Sequence, residues 1–427
     1  MQLEPDDRTV LDAIERRGDA IIRRAVEWCA ISSGSRNLEG LERQRAVLAE
    51  ALAALPGDTE SLPLGATIQI ADDGAAREQT HPDALRLTVR PQAPVQVVLT
   101  GHYDTVYPAG TRFLDVATRA DGALHGPGIA DMKGGISVML AALEAFESHP
   151  ARDRLGYRVL LSPDEEIGSA ASAPLLAELG RLGHVGLTYE PAMADGALAG
   201  ERKGSGNFHV LVRGRSAHAG RDFASGRNAV VGAAQVAAAL HALNGRRDGV
   251  TVNVAAISGG SPLNVVPDVA VARFNVRFPD AAAAEWLEIE IGKVVVAEPL
   301  IGEHGLRLSL HGGFTRPAKP FDPAQQRLFQ AAREVGALIG QAIDWKPSGG
   351  VCEGNNLHAA GLPNIDTLGV RGGDIHSENE HAWPDSFVER ASLSALMLIK
   401  LATGEIDAPG LKALHAAHRS QQGAAAA

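Results

Sequence analysis

The sequence predicts an α/β fold that is interrupted by a smaller α+β domain. Strand and helix patterns alternate up to Glu190 and again after Arg316, which is typical of a sheet with helices on its faces. Between these points the order of patterns is βαββαβ, the split arrangement of one sheet with two helices on one side. The 427 residues, 45% of them apolar, are also more than one domain usually holds. We therefore expect a main domain formed by residues 1–203 and 317–427, with an inserted domain at 204–316.

The main domain is predicted to begin with amphipathic helices. Val10, Leu11 and Ile14 show the helical repeat of apolar residues, and the segment ISSGS at 31–35 supplies N-cap residues before the next helix. Proline and glycine then separate a series of short β-type runs. The prediction is helices at 7–29, 38–55, 134–146 and 172–182, and strands at 67–70, 86–89, 95–100 and 157–162.

The inserted domain has a different order of elements. The turn-rich segment SGGSPLNVVPD, at 258–268, separates its two middle strands. Strands are predicted at 208–212, 250–257, 269–278 and 306–310, and helices at 228–243 and 281–296. The main domain then resumes with helices at 324–339 and 387–403 and a strand at 364–368, and the Ala-rich end SQQGAAAA predicts a disordered tail from about residue 419.

Composition excludes several classes of function. The net charge is -11 and there is no block of Lys and Arg, which argues against nucleic acid as a partner. No window of 18 apolar residues predicts a membrane span, and the N-terminus lacks the basic and apolar regions of a signal peptide. We expect a soluble, cytoplasmic protein without a membrane partner. Cys29 and Cys352 lie far apart in sequence, so we expect buried free thiols and neither a disulfide nor a thiolate metal site.

A His-x-Asp pair ends the apolar strand at 95–100. His102 and Asp104 are two residues apart, so on an extended segment their side chains lie on the same face. The Asp104 carboxylate can then share a site with the imidazole or orient it from behind, and both are uses found in metal sites. The alternative is a buried histidine at a strand end, satisfied by a neighbouring carboxylate.

Further acidic residues and a histidine follow other predicted strands, where an α/β sheet collects its ligand-binding groups. They are Asp131, Glu165, Glu166, Glu190 and His376. Several negative charges in one crevice are costly unless a cation neutralises them. Two divalent ions with a bridging carboxylate are the expected number, and imidazole nitrogen with carboxylate oxygen suits zinc.

Six motifs resemble the M20 metallopeptidase family in their order and spacing. They are GHYDTVYP at 101–108, GPGIADMKGG at 126–135, SPDEEIGS at 162–169, EPA at 190–192, RGRSAHAG at 213–220 and IHSENE at 375–380. The resemblance spans roughly residues 95–400, and the family includes carboxypeptidases of the G2 type, acetylornithine deacetylase and succinyl-diaminopimelate desuccinylase. It implies a di-zinc exopeptidase-like catalytic domain, a mixed sheet flanked by helices, with an inserted ferredoxin-like lid and dimerisation domain.

The resemblance also implies roles for single residues. Asp131 would bridge two Zn²⁺ ions, with Co²⁺ or Mn²⁺ as possible substitutes; His102 and Glu190 would bind one ion, and Glu166 and His376 the other. Asp104 would accept the ring proton of His102 and fix its tautomer. Glu165 would be the general base that takes a proton from the water between the ions. The reaction implied is hydrolysis of an amide bond, with release of an amino acid from a small N-acyl amino acid or peptide.

Residues outside the metal cluster complete this interpretation. His218 matches a family histidine that stabilises the oxyanion in the partner subunit's site, which implies a homodimer through the lid. Asn264 and Arg277 match positions that bind the substrate carboxylate, and Arg316 resembles a further substrate contact. The alternatives are a surface histidine for His218, a turn residue for Asn264 and an ordinary salt bridge for Arg277.

Two departures bear on specificity. SGGVCEGNN, at 348–356, replaces the usual Gly-Gly-Thr-Asp, and Leu198 or Ala199 stands where glutamate-specific relatives have a lysine. Strict specificity for C-terminal glutamate is therefore not expected. A second hypothesis is a non-catalytic scaffold or binding protein that keeps the fold. It is disfavoured because every expected ligand and the general base are present.

Overall fold

The computed structural model describes residues 1–297 and 305–426, with side chains as far as residue 421. Its α-helices are α1 Pro5–Arg16, α2 Gly18–Cys29, α3 Leu38–Leu52, α4 Lys133–Phe146, α5 Ala173–Leu182, α6 Ala229–His241, α7 Ala281–Val295, α8 Pro323–Leu338, α9 Glu353–Ala359, α10 Asp385–Thr403 and α11 Ala408–Ala426. Short 3₁₀ helices lie at Pro150–Arg154, Glu165–Ile167 and Phe223–Ser225. None of the helices described is long and apolar enough to cross a membrane.

The strands are numbered in chain order. They are β1 Asp58–Leu62, β2 Thr67–Ile70, β3 Ala76–Gln79, β4 Ala84–Val89, β5 Val95–His102, β6 Ala117–Thr118, β7 Leu124–His125, β8 Leu155–Ser162, β9 Val185–Thr188, β10 Leu198–Arg202, β11 Gly204–Arg213, β12 Ala217–His218, β13 Thr251–Gly259, β14 Val265–Val266, β15 Val269–Phe278, β16 Arg307–Arg316, β17 Trp345–Ser348, β18 Asn364–Ile365, β19 Gly372–Gly373 and β20 His381–Ala382.

A mixed six-stranded sheet forms the centre of the main body. Its order is β1-β4-β8-β5-β9-β18; β8, β5, β9 and β18 run parallel, and β4 runs antiparallel to its neighbours β8 and β1. Alternate residues of β5 face opposite ways: Val97 and Leu99 join the larger core with α4 and α10, whereas Val98 joins a smaller core with α5 and α9. The sheet therefore has helices on both faces, and its parallel strands all end at the same edge.

A second sheet has its own hydrophobic core. Its four antiparallel strands have the order β13-β15-β11-β16, and with α6 and α7 they follow the predicted βαββαβ sequence of elements. Phe208 and Phe274 stack in its core with ring centroids 5.3 Å apart. Small residues of α6, such as Ala229 and Ala233, pack on this sheet, so the helix lies close to the strands.

The chain enters and leaves the second sheet on neighbouring strands. Ser205, near the start of β11, pairs with Arg316 at the end of β16. The Asn355 side chain, in α9, donates to the carbonyl oxygens of Lys203 at 3.0 Å and Pro317 at 2.7 Å, so one amide fastens both connections. The domain limits at residues 203 and 316 stay a prediction.

Several elements differ from the sequence prediction. The helix predicted at 7–29 is two helices, because Arg17 between them has φ and ψ of -100° and 5°, which are not helical. The strand predicted at 364–368 covers only Asn364–Ile365. The structure describes α11 as far as Ala426, and the disordered tail expected from about residue 419 stays a prediction.

Candidate active site

His102, Asp131 and Glu190 converge at the edge where the parallel strands end. His102 is the last residue of β5, Glu190 follows β9, and Asp131 precedes α4. The Nε2 atom of His102 lies 3.1 Å from Asp131 Oδ1 and 3.7 Å from Glu190 Oε1. All three side chains are buried. One imidazole and two carboxylates therefore face a common point.

A second cluster shares Asp131 with the first. The Nε2 atom of His376 lies 3.3 Å from Asp131 Oδ2 and 3.1 Å from Glu166 Oε2. Asp131 thus presents one carboxylate oxygen to each histidine, which is the arrangement expected of a bridging ligand. His376 has a positive φ of 63°, a conformation unusual for a residue other than glycine, and its side chain is about half exposed.

Asp104 links the first histidine to the loop that follows β8. Its carboxylate lies 3.3 Å from His102 Nδ1, and its backbone carbonyl is 3.0 Å from the same nitrogen. The carboxylate also accepts hydrogen bonds from the backbone N–H groups of Glu165 and Glu166, both at 3.1 Å, and from the Ser35 hydroxyl at 2.7 Å. One buried carboxylate therefore orients the imidazole and fixes the loop that carries both glutamates.

Glu380 was not identified from the sequence, although it lies in the same IHSENE motif as His376. Its buried carboxylate accepts hydrogen bonds from the backbone N–H groups of Gly128, Ala130 and Asp131, at 2.9–3.0 Å, and from the Tyr107 hydroxyl at 2.7 Å. It therefore holds the loop that presents Asp131 between the two histidines. The position of Glu380, close to His376 in sequence, was the available signal. A carboxylate that binds backbone N–H groups, however, produces no recognisable sequence motif.

The electrostatics of the two clusters favour a cation. Burial, together with the charge of Asp131, raises the pKa of Glu166 to about 8 and also raises the pKa of Glu190. Hydrogen bonds to Asp131 and Glu166 raise the pKa of His376 to about 11. Without a metal the clusters therefore hold protons at neutral pH, and a divalent ion would displace them on binding.

The residues present fit a metal centre. Glu190 Oε1 is buried and has no hydrogen-bond partner in the described part of the chain, which is an unfavourable state for a carboxylate oxygen. A metal ligated by Glu190, His102 and Asp131 would satisfy that oxygen. The donors are imidazole nitrogens and carboxylate oxygens, a set that suits zinc and related ions.

The guanidinium group of Arg316 contacts Glu165. Its Nη2 atom is 2.6 Å from Glu165 Oε1, 3.0 Å from the Glu165 carbonyl oxygen and 3.0 Å from Ser169 Oγ, while Nη1 donates to Asn356 at 2.9 Å. Both terminal nitrogens of this buried guanidinium are therefore engaged. In this conformation Arg316 positions Glu165 and also lines the cavity beside the clusters, so the substrate contact expected from the sequence stays a prediction.

A cavity of about 810 Å³ opens beside the clusters. Asp131, Glu165 and His376 line it, as does Arg277 of β15. Arg277 Nη1 is buried and lacks a hydrogen-bond partner among the residues described. Burial and the nearby Arg316 lower the pKa of Arg277. An anionic group bound here would satisfy the unpaired nitrogen and offset the repulsion between the two guanidinium groups.

Residues 98–400 match the sequence pattern of Peptidase family M20/M25/M40. This chain belongs to that family. As an M20 protein with relatives named carboxypeptidase and desuccinylase, it is a hydrolytic enzyme of a metal-dependent family.

Two M20 relatives and two solved structures illustrate the similarity. The chain is 25% identical to carboxypeptidase G2 of Pseudomonas sp. (strain RS-16) over 410 residues, 93% of each chain. It is 31% identical to succinyl-diaminopimelate desuccinylase of Xanthomonas campestris pv. campestris (strain 8004) over 360 residues, 79% of this chain and 88% of the relative. A tripeptidase structure from Staphylococcus aureus has 22% identity and a TM-score of 0.69, covering 90% of this chain and 99% of that chain. Human carnosine dipeptidase 1 has 17% identity and the same TM-score, covering 93% and 100%.

His218 and Asn264 lie together, outside the cavity of their own M20 chain. His218 belongs to β12, which pairs with β14, and the Asn264 carbonyl accepts a hydrogen bond from the neighbouring Ala219 N–H at 2.9 Å. His218 Nδ1 accepts from the backbone N–H groups of Gly220 and Arg221, so the ring proton is carried by Nε2. In the described structure neither side chain lines the cavity that contains Arg277. Asn264 and Arg277, expected to act on one carboxylate, are therefore not brought together within one subunit.

Proposed function

We propose that this M20 enzyme is a di-zinc hydrolase that cleaves an amide or peptide bond and releases an amino acid with a free carboxylate. The substrates would be small N-acyl amino acids or peptides. The observation that carries this proposal is the pair of three-residue clusters sharing Asp131, with the Glu165 carboxylate facing the same cavity. The relatives named carboxypeptidase and desuccinylase support the reaction class.

His102, Asp131 and Glu190 would hold one zinc ion, and Asp131, Glu166 and His376 the other; Co²⁺ or Mn²⁺ would be possible substitutes. When bound, such ions polarise a carbonyl group and lower the pKa of water to near neutrality. Asp104 would accept the Nδ1 proton of His102, which leaves Nε2 free as the ligand atom.

Glu165 would be the general base. It is adjacent to Glu166 in the same 3₁₀ turn, but no ion pair within the described residues joins it to His102 or His376. Its ion pair with Arg316 fixes the position of the carboxylate in the cavity wall, where it can receive a proton from water. Glu165 would take this proton from the attacking water and deliver it to the leaving amine nitrogen.

Arg277 would bind the carboxylate of the released amino acid, because its unpaired Nη1 lies in the cavity wall near Glu165. His218 and Asn264 would act across a homodimer, with His218 Nε2–H donating to the developing oxyanion of the partner subunit's substrate. This assignment is supported by the shared position of the two residues outside their own cavity.

The test is a panel of N-acyl amino acids and dipeptides assayed with metal-loaded enzyme. Release of free amino acid from at least one class, lost after chelation and restored by zinc, would support the proposal. A correctly folded protein that binds neither zinc, cobalt nor manganese, and that hydrolyses no member of the panel, would favour the scaffold hypothesis.

A further inference from the structure

A third group of metal-type side chains lies away from the cavity. Asp322 precedes α8, His358 lies in α9 and His415 in α11, and all three are buried. Asp322 Oδ2 is 3.0 Å from His358 Nε2 and 2.7 Å from His415 Nδ1. The two imidazole rings are 4.5 Å apart, so both face the same carboxylate oxygen.

The hydrogen bonds of this group require a proton or a metal ion between the Asp322 carboxylate and His415. Asp322 Oδ1 is used by the backbone N–H groups of Ala324 and Gln325, whereas Oδ2 has only the two imidazoles. His415 Nε2 lies 3.2 Å from the His358 carbonyl oxygen, which can only accept, so this nitrogen carries the ring proton. In a neutral His415 the lone pair of Nδ1 would then face the lone pairs of Oδ2, a repulsive contact unless a proton or a metal ion lies between them.

The surroundings favour a metal ion over a proton. His358 Nε2 and His415 Nδ1 both face Asp322 Oδ2, so two imidazole nitrogens and one carboxylate oxygen converge on one point, as the ligands of a metal ion do. A contact from the outer ring nitrogen to a backbone carbonyl, as His415 makes, is the usual support for a metal-bound histidine. Tetrahedral zinc, with bonds of about 2.0–2.2 Å, holds its ligand atoms about 3.4 Å apart, so the three side chains would separate by about half an ångström.

We propose that Asp322, His358 and His415 form a third divalent-metal site, of the zinc class, that fastens α11 to α8 and α9. A water molecule would complete the tetrahedral coordination. This group shares no residue with the two clusters that contain Asp131, and His415 lies beyond residues 98–400, the part of the chain that matches the family pattern. Because none of the three side chains lines the cavity beside Asp131, the site would stabilise the C-terminal helix and take no part in hydrolysis.

The test compares metal content and stability in full-length protein loaded with zinc and dialysed. His415→Gln, which keeps a hydrogen-bond donor but loses the imidazole, should contain one zinc ion fewer per chain than the wild type, with kcat within about twofold. The control is His149→Gln, because His149 is also buried beside a carboxylate, 3.3 Å from Asp7 Oδ1, but has no second histidine. It should contain as much zinc as the wild type.

A second measurement does not depend on counting the ions of the catalytic cluster. In an Asp131→Asn background, adding zinc to the chelated protein should raise Tm by at least about 3 °C. The same addition should leave Tm unchanged once His415→Gln is also present. Equal zinc content in wild type and His415→Gln, or equal zinc-dependent shifts of Tm, would overturn the proposal and leave a buried imidazolium–carboxylate pair.

Discussion

At the scale of the residue, Glu165 and Glu166 have different surroundings although they are neighbours. Glu166 contacts His376, whereas Glu165 contacts Arg316. We therefore expect Glu165→Gln to keep both metal ions and to lower kcat by about 10²- to 10⁴-fold, the usual cost of losing a general base. Metal analysis and single-turnover rates on the same preparation check this. Glu166→Gln is the matched control and should lose metal; if Glu165→Gln loses it instead, the two roles must be exchanged.

The charge of Arg277 should determine whether the substrate must carry a free carboxylate. If it binds the substrate carboxylate, Arg277→Ala should raise KM and slow turnover for free-acid substrates, while the corresponding C-terminal amides should be hydrolysed at nearly unchanged rates. The reason is that only the free acid contributes an anion to the unpaired guanidinium nitrogen. Steady-state kinetics on matched acid and amide pairs separates the cases, and equal losses on both would make Arg277 structural.

Asp366 is the buried counter-ion of two basic residues. Its Oδ2 atom lies 2.9 Å from Arg202 Nε and 2.7 Å from Lys319 Nζ. Asp366→Asn would leave two buried cations unpaired, so we expect it to lower the free energy of unfolding by about 3–5 kcal/mol. Asp385→Asn, which removes an exposed partner of Arg371, should cost less than about 1 kcal/mol. Denaturant titrations of both variants measure the difference, and equal effects would contradict the assignment.

The Asp366 carboxylate also makes the stability of the protein depend on pH in the acidic range. Burial raises the pKa of Asp366, but the charges of Arg202 and Lys319 outweigh it and lower the pKa to about 2. Because the folded value lies below the unfolded value of about 3.9, the unfolded chain binds more protons between these pH values. This contribution to stability is therefore complete above about pH 4 and is lost as the pH falls through about 2. Asp366→Asn should flatten the acid dependence in that window.

At the scale of the element, the loop before α4 is held by a single side chain from the far end of the sequence. Glu380 accepts three backbone N–H groups of this loop, including that of Asp131. Glu380→Gln replaces one acceptor oxygen by a donor, so we expect Asp131 to be misplaced and metal affinity to fall by about 10- to 100-fold. Competition titrations with a chelating dye check this. Glu378→Gln, at an exposed neighbouring position, is the control and should bind metal normally.

Long elements with one apolar face were predictable, and the contacts between elements were not. Strand β15 has the predicted bounds because an apolar run is followed by strict alternation over residues 273–278, whereas Gly372–Gly373 is too short to produce any pattern. The sequence motifs indicated the residues that the structure brings together around Asp131. The roles of Glu380 and Arg316 depend on which backbone amide or carboxylate the fold brings near them, and no sequence spacing records that.

At the scale of the whole molecule, the proposal that His218 acts in a partner's site means that one subunit alone would lack an oxyanion donor. His218→Ala should lower kcat by about 10²-fold or more with metal content unchanged, because an oxyanion donor is typically worth about 2.7–4 kcal/mol. Mixing inactive His218→Ala with inactive Glu165→Gln and allowing subunit exchange should restore one working site per heterodimer. In that site one chain supplies the metals and base, and its partner supplies the histidine.

Two controls accompany this complementation. Each variant incubated alone under the exchange conditions should stay inactive, and native mass spectrometry should confirm that heterodimers have formed. A double variant, with His218→Ala and Glu165→Gln in one chain, should not rescue either single variant. No recovery of activity despite verified exchange, or full activity in a monomer, would rule out supply of His218 from the partner.

The pairing of Ser205 with Arg316 has a consequence for the order of folding. A disordered segment of about 110 residues costs roughly 2 kcal/mol more to close than one of about 10 residues. If the second sheet folds first, the pairing of β11 with β16 brings the two ends of this segment together. For the main body, the whole segment then acts as a short connection. We therefore expect amide hydrogens of β11 and β15 to gain protection during refolding before those of β5 and β9, whose pairing must wait for the ends to meet.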